Sequence, residues 1–298
     1  MSGSGTEVAQ PHPTGPVVRG DVAAERSAAN AGQGAFQLRS MTLELGAREV
    51  LADVDLEISP GEAVAFVGPS GAGKTSLLRV LSASLLPTRG QAHVCGVRTN
   101  DAPEKNLREL QSRIGFVHQD LSLVPNVRVA HNVLAGQLGR WSFLQSLRQM
   151  WLPSRPTLRR VFEVLSSVGI EEHVFRRTDR LSGGEQQRVA VARALFQEPV
   201  ALLADEPVAS VDPERAHRTI ALLKKLSQER GLTLVVSLHD LDLAYEFFPR
   251  LIGLKEGRVL FDRCTKDLRR EQLHELYEID GTSGMSTHIG ANGPCANS

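Results

Sequence analysis

Apolar and polar positions along the chain fall into two distinct patterns. Met41-Thr42-Leu43-Glu44-Leu45 and Val54-Asp55-Leu56-Glu57-Ile58 alternate strictly, the period of two expected of half-buried strands. After the Ser59-Pro60-Gly61 turn the strand-like runs become almost wholly apolar, at 63–67, 114–117, 200–204 and 232–238. Strands of that kind are covered on both faces, as in a parallel sheet flanked by helices. The pattern predicts an α/β fold with a mostly parallel core sheet and a small antiparallel β subdomain. Residues 91–97 predict a further strand or hairpin, 107–112 a short helix, Lys255-Glu256-Gly257-Arg258 a hairpin turn, and 266–278 a final helix. Between 129 and 174 the pattern is helical, broken around Pro153 and Pro156, with no strand signal. A helical subdomain inserted over about 129–180 is therefore expected.

Residues 1–34 are rich in Gly, Ala, Ser and Pro and carry no hydrophobic period, so a disordered leader is expected there and a disordered tail from 281 to 298. Everything between, 35–280, reads as one domain. Lys+Arg and Asp+Glu both number 34, so net charge offers no case for a nucleic-acid or acidic-lipid surface. No apolar run approaches the roughly 18–20 residues of a spanning helix, and no signal-peptide pattern opens the chain. Cys95, Cys264 and Cys295 are odd in number, far apart and in no metal spacing. They read as reduced thiols of a soluble intracellular protein.

The chemistry concentrates at Gly68-Pro69-Ser70-Gly71-Ala72-Gly73-Lys74-Thr75-Ser76, between an apolar strand and a helix pattern carrying Leu77, Leu78, Leu81 and Leu85 on one face. Strand, glycine loop and helix in that order form the setting of a phosphate-binding P-loop. Backbone N–H groups and the helix N-terminus receive the phosphates, Lys74 reaches the outer ones, and the Thr75 hydroxyl suits magnesium. The competing reading is a simple glycine turn, but the Gly-Lys-Thr ending favours a nucleoside triphosphate. Asp205-Glu206 close one apolar strand and His239-Asp240 another. Taken singly, the carboxylate pair reads also as a helix cap, and the histidine as a side chain satisfied by the backbone. Behind a P-loop, Asp205 is placed for the magnesium shell and Glu206 for polarising a water toward in-line attack. Ser182 and Glu185 have capping-box spacing, and Asp212-Pro213 that of a helix start.

With these motifs in this order, the chain resembles the ATP-binding subunits of ABC transporters over about residues 35–280. Leu181-Ser182-Gly183-Gly184-Glu185 is similar to the family's signature loop, Gln119 to its Q-loop, Ser210-Val211-Asp212 to its D-loop and His239 to its switch histidine. The resemblance implies ATP and Mg2+ as ligands, with Thr75, Gln119 and Asp205 around the metal and Glu206, His239 and Gln119 in catalysis. It also implies a head-to-tail homodimer, in which Ser182, Gly183, Gly184, Glu185 and Asp212 of one subunit help enclose ATP on the other's P-loop. A membrane permease subunit would be the direct partner, on the cytoplasmic face of the membrane, and an extracytoplasmic substrate-binding protein an indirect one. Nucleic acid is not an expected partner.

Within the family, the similarity runs furthest toward the ATPases of phosphonate importers. It is carried by Asn132-Val133-Leu134-Ala135-Gly136, Leu138-Gly139-Arg140, residues 205–213 and Leu273-His274-Glu275-Leu276-Tyr277. Two departures accompany it. The position where the family stacks an aromatic ring on adenine is Leu45 here, and the insert from Trp141 to Pro156 is only loosely similar. That insert holds Trp141, Phe143 and Trp151, read either as internal packing or as an interface. The alternatives to an importer ATPase are an export or lipoprotein-release system and a non-transport ATPase of the same family. One P-loop, one signature loop and no sustained heptads count against the last.

Overall fold

The computed structural model describes residues 35–209 and 211–268. Two sheets carry them. The first is antiparallel, in the order β2-β1-β4-β5, built from β1 (Phe36–Leu45), β2 (Arg48–Ile58), β4 (Arg89–Val94) and β5 (Val97–Arg98). Its first strand begins five residues before the alternation does. Ser40, at φ 43°, shifts the register between Leu38 and Met41, and that irregularity hides residues 36–40 from a period-of-two search.

The second sheet has the order β10-β9-β3-β8-β7-β6. Here β3 (Ala63–Val67) lies between β8 (Thr233–Leu238) and β9 (Arg250–Lys255), followed outward from β8 by β7 (Ala201–Asp205) and β6 (Ile114–Val117). Every pairing among these is parallel. Only the edge strand β10 (Arg258–Cys264) is antiparallel, joined to β9 through the expected turn. The strands β7 and β8 are buried along their whole length, in agreement with their mostly apolar sequence.

Helix α1 (Lys74–Leu81) follows β3, and α2 (Glu104–Ser112) precedes β6. Within residues 129–180 lie α3 (Val129–Leu134), α4 (Phe143–Trp151) and α5 (Arg155–Ser167), with short 3-10 turns. One detail differs. Pro156 does not break a helix but sits in the first turn of α5, where its missing N–H costs nothing. The break falls at 152–154. Buried Asn132 fastens this region, bonding both backbone groups of Val124 at 2.9 Å and the Thr178 hydroxyl at 2.8 Å.

Helix α6 (Gly183–Phe196) opens on Ser182, and α7 (Pro213–Arg230) runs from an Asp212 cap to Gly231 in the left-handed region at φ 63°. A short helix, α8 (Leu241–Phe247), follows β8; its sequence gave no separate signal. Of the expected final helix only a 3-10 turn at Thr265–Asp267 falls within the described residues; the remainder, the leader, the tail and Ser210 lie outside them. Of the three cysteines, Cys95 is free, and Cys295 lies outside the described residues.

At the rim of the core sheet a buried ion cluster ties β9 and β10 to Glu62, the residue just before β3. Arg250, only 3% exposed, makes two bonds to Asp262 (2.7 and 2.6 Å) and one to Glu62 at 2.9 Å. These carboxylates outweigh the effect of burial and raise the guanidinium further above its ordinary range.

Candidate nucleotide site

The loop 68–73 joins β3 to α1. Gly71 (φ 83°) and Gly73 (φ 102°) occupy backbone conformations that side chains disfavour. A Cβ on Gly68 would lie 2.3 Å from the Leu254 carbonyl oxygen, and one on Gly73 2.8 Å from Leu51 Cδ2, so neighbouring strands press on the loop. Gly257, in the β9–β10 turn, donates its N–H to the Ala72 carbonyl (3.1 Å) and accepts from Ala52 N (2.9 Å). Helix α1 begins with no side-chain cap. Its first-turn N–H groups therefore remain available to an external anion.

Residues far apart in sequence meet beyond that helix end. The buried Lys74 amine donates to Gly68 O at 2.7 Å and Pro69 O at 3.1 Å, and lies 3.6 Å from Glu206 Oε1 and 3.3 Å from His239 Nδ1. Burial lowers its pKa, against opposing pulls from Glu206 and Asp205. His239 Nε2 is 2.5 Å from the same Glu206 oxygen. The imidazole thus bridges the P-loop cation and the carboxylate, with Nε2–H donating to Glu206 and Nδ1 accepting from Lys74 in one consistent tautomer. Glu206 itself has φ 44°, a left-handed conformation that a non-glycine residue holds only when its surroundings impose it.

Thr75 Oγ1 donates to Asp205 Oδ1 at 3.1 Å, which brings together two of the three residues expected around magnesium, Gln119 being the third. Ser237, at the end of β8, was not singled out by sequence. Its buried hydroxyl donates to Asp205 Oδ1 at 2.8 Å and accepts from Glu206 N at 2.8 Å. Position alone could have found it: it lies two residues before His239 on an otherwise apolar strand. Among the described residues no group of three His, Cys, Asp or Glu forms a metal-binding set of its own. Thr75 and Asp205 fit a hard cation that keeps its remaining ligands from phosphate and water.

The signature-like segment is built as a capped helix start. Ser182 Oγ accepts from Glu185 N, while Glu185 Oε2 accepts from Ser182 N (2.7 Å) and from its hydroxyl (2.8 Å). The other Glu185 oxygen lies 2.8 Å from His173 Nε2. The bonds from the Ser182 backbone and hydroxyl, then the one with His173, hold the Glu185 carboxyl at a pKa of about 2. Glu185 is therefore turned into its own helix cap. Gly183 and Gly184, by contrast, are exposed, with nothing within 4 Å of where a Cβ would stand.

A cleft of about 660 Å³ runs past Gln119, Ser182, Gly183, Glu206 and Asp212. The Asp212 side chain caps α7, accepting from Arg215 N at 3.1 Å. Buried Gln187, also missed by sequence reading, joins the signature helix to the Pro207 carbonyl and to Thr219 on α7. Leu45 ends β1 and is 45% exposed.

The ABC transporter family model matches residues 51–209. A phosphonates import ATP-binding protein of Anaeromyxobacter dehalogenans is 47% identical over 244 residues, 82% of this chain and 48% of that protein. The chain therefore spans about half the length of that relative. The protein of the same description from Pseudomonas fluorescens is 43% identical over 229 residues, covering 77% of this chain and 86% of its own. Among solved structures, a dimeric ATP-binding cassette in a post-hydrolysis state with ADP and Pi superposes with a TM-score of 0.67 at 32% identity, over 77% of this chain and 98% of that one. Phosphate loop, carboxylate pair, histidine and signature-like helix stand together on an ATP-binding cassette fold, and the chain belongs to the ABC transporter family of ATP-binding proteins.

Proposed function

We propose that this protein is the ATP-hydrolysing subunit of an ABC importer for phosphonate or a related phosphorus oxyanion. The transported class is supported by the relatives above, which are phosphonates import ATP-binding proteins, and the hydrolytic role by the geometry. The observation that carries the latter is the junction of Lys74, His239 and Glu206 beside the Thr75–Asp205 pair, at the ends of β3, β8 and β7.

In this reading the first-turn N–H groups of α1 and the loop 68–76 bind the triphosphate, and Lys74 moves from the loop carbonyls to the outer phosphate oxygens. Thr75 and Asp205, with Gln119, would hold Mg2+, whose charge offsets that developing on the transferred phosphoryl group. Glu206 accepts the proton of the attacking water, and His239 fixes the orientation of its carboxylate. Ser182, Gly183 and Gly184 complete the site on a second copy: the capping box occupies the N–H groups of Ser182 and Glu185, while exposed Gly183 and Gly184 between them are left to face an anion that their own chain does not present. Dimer closure on ATP and reopening after hydrolysis would drive a membrane permease, with the protein peripheral on the cytoplasmic face and a substrate-binding protein acting outside.

The test is Glu206→Gln. It should retain ATP and slow hydrolysis by about 10²–10⁴, the usual contribution of a general base. Light scattering should then report a lasting ATP-bound dimer. Hydrolysis at the parent rate would overturn the assignment.

A further inference from the structure

Helix α4 stands apart from the rest of the helical region. It buries none of its residues, although Phe143, Leu144, Leu147 and Trp151 are 80%, 75%, 49% and 83% exposed. At 3.6 residues per turn these side chains fall within about a third of the helix circumference. They form one continuous apolar stripe, prolonged past the helix end by exposed Leu152, while Gln145, Arg148 and Gln149 take the remaining face. Trp141 and Met150 hold the segment down by packing against the main core. The internal-packing reading of Phe143 and Trp151 is therefore excluded.

The stretch of sequence around the stripe carries one sign of charge. No Asp or Glu occurs between Asp120 and Glu163, and that stretch holds six arginines. Arg159 and Arg160 are paired with Glu163 and Glu198. Arg148, on α4, and Arg155, just beyond it, are exposed and make no ion pair among the described residues. The neutral total of the chain conceals this local segregation.

We propose that α4 is an interfacial membrane anchor that lies on an anionic bilayer surface. Phe143, Leu144, Leu147 and Trp151 enter the boundary between headgroups and acyl chains, and Arg148 and Arg155 bind lipid phosphates. An apolar stripe rich in Trp, Phe and Leu, flanked by arginine and free of acid, matches that surface chemically. Guanidinium groups also pair with phosphate in a two-bond geometry. The inference concerns neither ATP nor the transported molecule and stands independently of both.

The full chain is sedimented with vesicles of phosphatidylcholine alone and of phosphatidylcholine mixed with phosphatidylglycerol. Binding is expected to the mixed vesicles only, and to weaken with salt. Arg148→Gln and Arg155→Gln should each lower the partition coefficient about fivefold, and Leu147→Asp with Trp151→Asp should abolish binding, all with unchanged ATPase rate in solution. No sedimentation with mixed vesicles, or equal binding by these variants, overturns the proposal. If the variants lose a co-purified membrane subunit while the parent never binds vesicles, the stripe is a protein interface and the proposal again fails.

Discussion

One hydroxyl, that of Ser237, fixes both the side chain of Asp205 and the backbone of Glu206. Ser237→Ala would leave a buried N–H without its acceptor, at a cost of about 1–3 kcal/mol. The expected result is a lower thermal midpoint and a kcat reduced on the order of tenfold, since a general base displaced slightly loses much of its effect. A variant with parental kcat would show that Glu206 is positioned by other means. Leu45 poses the complementary question of affinity. Phe36, the one aromatic ring of β1, is wholly buried among core residues and unavailable to a bound base. Leu45→Tyr should therefore tighten ATP about three- to tenfold, as an added aromatic contact permits, and improve discrimination against GTP. Titration of both nucleotides decides it, and unchanged ATP affinity would place the base elsewhere.

At the scale of elements, the start of α6 has a pH signature. Glu185 ordinarily titrates near 4.5 and is lowered to about 2 in the folded chain. Its contribution to stability is complete above pH 4.5 and disappears as pH falls through 2. Glu185→Gln should melt lower than the parent at pH 7, and the gap should narrow toward pH 2; a gap independent of pH would contradict the charged cap. Sequence made the Ser182–Glu185 pairing legible because both ends lie within one helical turn. His173 was not legible, since it reaches Glu185 from a separate 3-10 turn at Glu171–His173. The same distinction runs through the other elements. Mostly apolar strands and a Pro-started, Gly-ended helix declare themselves locally, whereas a register shift at Ser40 or a seven-residue helix after His239 leaves little periodicity to detect.

For the molecule as a whole, the fold class and the phosphate loop followed from local pattern, and the order of the motifs led to the family. What escaped was the set of contacts that only folding brings together. The Arg250–Glu62–Asp262 cluster spans 188 positions of sequence at its longest, and no spacing rule connects Gln187 with Pro207 and Thr219. Nor does balanced composition betray an acid-free, apolar-striped helix. The contact of Gly257 with Ala72 and Ala52 belongs to this class, and it bears on how the protein is made. The phosphate loop leaves the ribosome early, but its supports on β9 and in the turn after it are encoded near the end of the described chain. A nascent chain halted before that turn has the whole loop sequence without the strand and turn that brace it. Competence to hold ATP therefore arrives only once that turn has been made, and not when the loop itself emerges.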